Sequence, residues 1–264
     1  MSDVILFTVD EGLARLTLNR PARLNAFNAE LAHAWRDATI EATSRDDVGA
    51  VLIDAAGPAF CAGGDVIEMA TTGGSESDIA ALAEVINTGI RALTESSLPV
   101  VAAAHGTTAG GGLGILLSSD YAVVGARSKL GSLYANIGLT PDLSVSAQLA
   151  RAVGQRRALQ LVLQDRLLTA EEAVDWGLAA EAVAGEDAAA EASLVRARAE
   201  EVARFWLAGA AAAYGQAKRL VRSQPERTFA EQLSEEARSI GAAMATKDAQ
   251  ARIAAFASSS RGAR

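Results

Sequence analysis

Two short glycine-rich segments constrain this chain more than anything else in it. The first is Ala59-Phe60-Cys61-Ala62-Gly63-Gly64-Asp65 and the second is Ala109-Gly110-Gly111-Gly112-Leu113-Gly114. Each follows an apolar run that reads as a buried strand, residues 48–55 and 100–105, and each leads into a helical pattern. Repetition of strand, glycine turn and helix predicts βαβ units in an α/β fold. Main-chain amides at such turns are free to hold an anion, and glycine lets a ligand approach the backbone closely. Tight packing of loop on helix is the plain structural alternative. Neither segment is a phosphate loop: G-x-x-x-x-G-K-[ST] is absent, and the second does not register as G-x-G-x-x-G.

The flanking pattern fills in around these loops. Residues 4–9 and 13–18 bracket Asp10-Glu11-Gly12 as a hairpin. Asn28 caps a helix running to about Ser44, residues 78–96 are helical, and 120–125 form a third strand. Thr169-Ala170-Glu171-Glu172 is a capping box, and Gly177 marks a helix stop. From about residue 187 the pattern is helical and alanine-rich. The 264 residues therefore divide into a core over 1–185 and a helical C-terminal lobe over 186–264.

With 24 basic and 32 acidic residues the net charge is −8, which disfavours phosphate backbones and anionic bilayers, so neither nucleic acid nor membrane is an expected partner. Cys61 is the single cysteine, and no N-terminal signal pattern is present, so a soluble cytoplasmic protein is expected. No His, Cys, Asp and Glu grouping has metal-ligand spacing, and no metal is expected. His105 reads as a structural hydrogen-bonding residue, His33 as a surface histidine and Cys61 as a small buried side chain.

Several ordered motifs resemble the enoyl-CoA hydratase/isomerase (crotonase) superfamily. They are Leu18-Asn19-Arg20-Pro21 with Leu24-Asn25-Ala26, the Ala59–Val66 segment, Pro99-Val100-Val101-Ala102-Ala103, the Ala109–Gly112 segment, Gly138-Leu139-Thr140-Pro141-Asp142, Leu149–Gly154 and Ala170–Leu178. The resemblance spans about residues 4–185. It implies a crotonase-like spiral of ββα units, closed by the helical lobe and assembled as a homotrimer or as a homohexamer of two trimers. It also implies an acyl-CoA substrate, with coenzyme A entering as part of the thioester and no permanently bound cofactor.

Residue by residue, the resemblance makes the amides of Gly64 and Gly111 an oxyanion hole. The stretch comprising Arg23, Leu24, Ala26, Ala62, Asp65, Val66 and Ile67 becomes the cradle of coenzyme A. Lys247 and Phe256 fall where a C-terminal helix closes over the coenzyme A of a neighbouring subunit. The two glutamates of a hydratase are replaced by Gly114 and Tyr134. Glycine moves no proton, and tyrosine is a poor base near neutrality. Asp142 stands where related isomerases and aryl-CoA dehalogenases carry a carboxylate, although an aspartate there also suits a first helical turn capped by Thr140. Tyr134 and Asn87 are expected to shape the acyl pocket, where the dehalogenase branch has Trp and His. Four readings remain open at this level. They are a double-bond isomerase using Asp142 as proton carrier, a hydratase with a non-standard base, a dehalogenase-type hydrolase with Asp142 as nucleophile, and a non-catalytic thioester-binding protein.

Overall fold

The structure is a computed structural model that describes residues 3–72, 75–164 and 166–262. The hairpin forms as β1 (Ile5–Asp10) and β2 (Leu13–Leu18), paired from Ile5 opposite Leu18 to Asp10 opposite Leu13. Glu11 and Gly12 both have positive φ, the backbone twist a two-residue hairpin turn needs. Asn28 accepts a hydrogen bond from the Leu31 amide and starts α1 (Ala29–Ser44). β3 (Ala50–Ala55) follows, then α2 (Val66–Thr72) and α3 (Glu76–Glu95), the last opened by a Ser75/Asp78 capping box.

β4 (Val100–Ala104) leads to β5 (Thr107–Ala109) and α4 (Gly111–Leu117). Ala109, the first residue of the second glycine-rich segment, thus closes a short strand. β6 (Tyr121–Gly125) and β7 (Lys129–Gly131) come next, then α5 (Val145–Val153), α6 (Gln155–Val162), β8 (Leu168–Thr169), α7 (Ala170–Asp175) and β9 (Glu181–Val183). Helices α8 (Ala188–Ala208), α9 (Ala211–Arg222), α10 (Phe229–Met244) and α11 (Lys247–Gly262) complete the described chain.

The strands form a main sheet in the order β1-β2-β3-β4-β6-β9, parallel after the first pair, and a small sheet β5-β7-β8. β3 and β4 are buried along their whole length because both sheet faces are covered. Val51, Ile53, Val100 and Ala102 pack with α1, α3 and α4 through Leu31, Trp35, Ile90 and Leu113. Leu52, Val101 and Ala103 face the other way, onto Val195, Ala199 and Val202 of α8. The division expected at residue 186 therefore falls just before a helix that covers the sheet itself.

Beyond α8, α9 is tied to the core by Lys218. Its buried ammonium donates to the carbonyls of Leu93 (2.7 Å) and Leu98 (2.6 Å) and pairs with Asp120 at 3.1 Å. Burial pushes its pKa down against the pull of Asp120. Among the described residues, no helix is long and apolar enough to cross a membrane.

Candidate active site

The site is built where the ends of the two sheets meet. The segment 24–27 runs beside 61–65: Ala62 N–H donates to Leu24 O (3.0 Å), Phe27 N–H to Gly63 O (2.7 Å) and Asp65 N–H to Phe27 O (2.9 Å). On its other side, 61 runs beside β5, with Cys61 N–H to Thr107 O (3.2 Å) and Ala109 N–H to Cys61 O (3.0 Å). Gly110 N–H then reaches Gly131 O on β7 at 3.1 Å. Two isolated bridges, Phe27 with Gly64 and Cys61 with Thr108, record the same pairing. The loops that the sequence separates by tens of residues thus lie side by side as an extension of the small sheet.

That pairing brings Gly64 and Gly111 together. Gly63 has φ of +106°, and a β-carbon on it would stand 3.2 Å from the Gly111 nitrogen, so the two glycine turns touch main chain to main chain. Gly111 is the first residue of α4, where an amide has no partner within the helix. Among the described residues, neither the Gly64 nor the Gly111 amide has an acceptor. Two such donors, one at a helix N-terminus, suit a developing negative charge on a carbonyl oxygen.

The cradle residues divide by role. Asp65 is 4% exposed and accepts from Arg23 Nε at 3.1 Å, Arg23 Nη2 at 2.5 Å, Arg20 Nη2 at 3.3 Å and the Glu68 amide at 3.1 Å. The Arg23 guanidinium holds its carboxyl below the usual range. Asp65 therefore both starts α2 and anchors the 20–27 loop to the first glycine turn. Arg23, assigned from the sequence to the ligand cradle, is committed to this ion pair. Leu24, Val66 and Ile67 are exposed apolar side chains, Ala62 is half-buried and Ala26 is buried.

Sequence reasoning did not single out Asn25. It is fully buried at φ +56°, accepts from the Arg20 amide (2.7 Å) and donates to the carbonyls of Ala56 (2.9 Å) and Ala59 (2.8 Å). Asparagine tolerates this left-handed backbone, and that was the one available signal. Replacing it by alanine strands one buried and two partly buried main-chain groups. Asn25→Ala is expected to cost about 1–3 kcal/mol of stability, read as a lower denaturation midpoint at unchanged slope.

Asp142 is placed differently from expectation. Pro141 and Asp142 precede the helix, because Leu143 (φ +46°) and Ser144 (φ +67°) take left-handed backbone and delay α5 to Val145. Asp142 is thus not a helix-capping side chain. Instead, the hydroxyl of Tyr134 donates to its Oδ1 at 2.5 Å. Tyr134 is buried, whereas Asp142 remains accessible on one side. Partial desolvation pushes the Asp142 pKa above the ordinary carboxylate value, against the lowering pull of the Tyr134 hydroxyl. Burial next to Asp142 likewise raises the Tyr134 pKa, so the phenol is protonated and is the donor.

Leu143 links this pair to the second glycine turn. A β-carbon on Gly111 would lie 2.8 Å from Leu143 Cδ1, and one on Gly114 would lie 2.2 Å from the Leu143 carbonyl oxygen. Position 114, which the resemblance matches to a hydratase's first glutamate, is therefore filled by main chain, and only glycine fits.

Asn87 on α3 contacts Glu84 of its own helix at 3.5 Å. Lys247 and Phe256 lie on α11, where Phe256 is 74% exposed. His105 is buried, its Nε2–H donating to Gly57 O at 2.7 Å, and burial lowers its pKa. Cys61 is buried, with its thiol pushed up to about 12. His33, by contrast, is exposed. A wide cleft of about 1260 Å³ opens beside α9, but none of the expected site residues lines it, and Lys218, Arg222 and Asp120 within it are bonded to one another or to main chain. Among the described residues, no three His, Cys, Asp or Glu side chains converge.

The sequence profile of the enoyl-CoA hydratase/isomerase family matches residues 8–261. The chain belongs to this family. It is similar to the trans-2-decenoyl-acyl-carrier-protein isomerase of Streptococcus mutans, 35% identical over 176 residues that cover 66% of this chain and 67% of that one. It is similar to the 1,2-epoxyphenylacetyl-CoA isomerase of Escherichia coli, 34% identical over 181 residues, 67% of this chain and 69% of that one. Its fold matches the crystal structure of an enoyl-CoA hydratase from Mycobacterium smegmatis with a TM-score of 0.88 at 26% identity, over 97% of this chain and 96% of that one. The family's names include both hydratases and isomerases, and the crotonase fold is common to them.

Proposed function

We propose that this chain is an isomerase of enoyl-CoA thioesters that carries one proton on Asp142. The observation that supports this most is the filled position at Gly114, which leaves Asp142 without a second carboxylate from α4. Hydration needs one group to activate water and another to deliver a proton. A double-bond shift needs a single carrier. Asp142 takes a proton from carbon 2 of a 3-enoyl thioester, and the electron pair delocalises onto the thioester oxygen as a dienolate. The amides of Gly64 and Gly111 stabilise that oxygen. Asp142 then returns the proton at carbon 4, leaving the double bond between carbons 2 and 3. The loop around Arg23, Leu24, Ala26, Ala62, Asp65, Val66 and Ile67 holds the coenzyme A portion, with Tyr134 and Asn87 bounding the acyl group and no resident cofactor taking part.

We assign assembly to the C-terminal helices. Phe229, Ile240, Met244 and Phe256 on α10 and α11 are each more than half exposed. An apolar set of this size suits burial between copies, in a homotrimer or a dimer of trimers. Lys247 and Phe256 would then face a neighbouring subunit.

The deciding experiment offers the purified protein a 3-enoyl-CoA and, separately, a 2-enoyl-CoA. Conjugation of the first, with little water addition to the second, is the expected result. Rapid hydration of the 2-enoyl-CoA would replace the isomerase reading with a hydratase using another base. Inertness toward both, with thioester binding intact, would leave a hydrolytic or purely binding role.

A further inference from the structure

We propose that Tyr134 is a positioning residue: it pins Asp142 through Oδ1 and leaves Oδ2 as the oxygen that carries the proton. The proposal rests on the isomerase reading and deepens it. Three features of the site converge on it.

The first is the contact itself. The Tyr134 hydroxyl lies 2.5 Å from Oδ1, and no other side chain is bonded to the carboxylate among the described residues. Among the described residues Ser144, two residues on, has a buried hydroxyl with no partner, so even this neighbour does not compete for the carboxylate. The second is rigidity on the tyrosine side. Tyr134 is 8% exposed and belongs to the main core cluster together with Leu143 and Leu113. Its ring cannot follow a wandering carboxylate, so the hydrogen bond fixes Asp142 rather than the reverse. The third is backbone conformation on both sides of the pair. Leu133, immediately before Tyr134, has φ of +54°, and Leu143 and Ser144, immediately after Asp142, have +46° and +67°. Leucine rarely adopts this region, and such conformations persist where the surroundings over-determine them, typically at functional sites. Here they aim Tyr134 and Asp142 at each other across the intervening loop.

A carboxylate that must accept a proton at one carbon and release it at another gains from having one oxygen already occupied. The occupied oxygen cannot rotate into the substrate, so the proton stays on one face of the acyl chain. The other titratable group beside Tyr134 is the Cys61 thiol, which burial keeps neutral. Loss of the hydroxyl therefore acts on Asp142 without a competing ionisation. Because the tyrosine hydrogen bond favours the carboxylate form, its removal raises the pKa of Asp142 further.

The test is Tyr134→Phe, which deletes the hydroxyl and keeps the ring. For the 3-enoyl-CoA reaction kcat should fall ~10- to 100-fold from misplacement of the carrier, with KM nearly unchanged. The acid limb of the kcat/KM profile should move to higher pH. An activity-independent measurement accompanies it: infrared titration of the Asp142 carboxyl, isolated by difference against Asp142→Asn, in the wild-type protein and in the Tyr134→Phe variant. A titration that moves to higher pH in Tyr134→Phe supports the proposal. An unmoved acid limb and an unmoved titration overturn it, even if kcat falls, because that loss would then be packing alone. Wild-type protein that converts no 3-enoyl thioester overturns the isomerase reading and, with it, the proton-carrying role given to Oδ2.

Discussion

Asp142→Asn is expected to lower kcat for the double-bond shift by ~10²–10⁴-fold, the range for removal of a general acid–base group. The amide is nearly isosteric, and its oxygen can still accept from Tyr134, so the carrier alone is lost. KM should stay close to the wild-type value, since thioester binding is assigned to the 20–27 and 61–67 segments. Thermal stability should change little, because Asp142 is accessible and caps no helix. The wild-type pH profile is part of the same expectation. Isomerisation starts from the carboxylate, and desolvation holds the Asp142 pKa above its ordinary value. Activity should therefore be full at neutral pH and fall as pH drops through that raised pKa, earlier than an unperturbed carboxylate would dictate. For stability the sense is opposite: a carboxyl whose folded pKa is raised binds its proton more tightly in the fold, so it favours folding at low pH and costs stability as pH rises. Isomerisation that persists in Asp142→Asn at the wild-type rate would remove Asp142 from the mechanism.

Gly114→Glu, the substitution that would restore a hydratase-like residue, is expected to abolish activity and destabilise the protein by more than ~3 kcal/mol. The first side-chain atom would already sit 2.2 Å from the Leu143 carbonyl oxygen and 2.9 Å from Leu143 Cβ. The obstacle is main chain, so no rotamer change relieves it. Segment 142–144 would have to lift from α4, carrying Asp142 away from Gly111. Gly114→Ala separates the two causes: it brings the same steric conflict without the charge, and it too should lose activity and melt at lower temperature. A Gly114→Glu protein that folds at wild-type stability and hydrates a 2-enoyl-CoA would show that the Leu143 backbone is free to move.

Much of the framework was readable because it depends on local signals. The Glu11–Gly12 turn, the Asn28 cap, the buried strands at 50–55 and 100–104 and the Thr169/Glu172 capping box all follow from residues within a few positions of one another. The same holds for the glycine turns, whose residue types announce a main chain open to close approach. The motifs were also sufficient to place the chain in its family, since their order and spacing span most of its length.

What tertiary structure alone decided are the contacts between segments far apart in the chain. Asn25 gave no sign that its side chain would bridge two loops, because the carbonyls that accept from it, those of Ala56 and Ala59, lie on a different segment. The delayed start of α5 was hidden because Leu143 and Ser144 carry no preference for left-handed backbone, and Thr140-Pro141-Asp142 is a good local cap that packing overrides. Tyr134 and Asp142 could each be assigned to a pocket from the sequence, but not to each other. Their hydrogen bond exists because two strained loops converge on the core. Gly114 shows the division most sharply: the sequence determined that no proton donor stands there, and only the packed Leu143 backbone explains why none could, since the volume a side chain needs is already occupied.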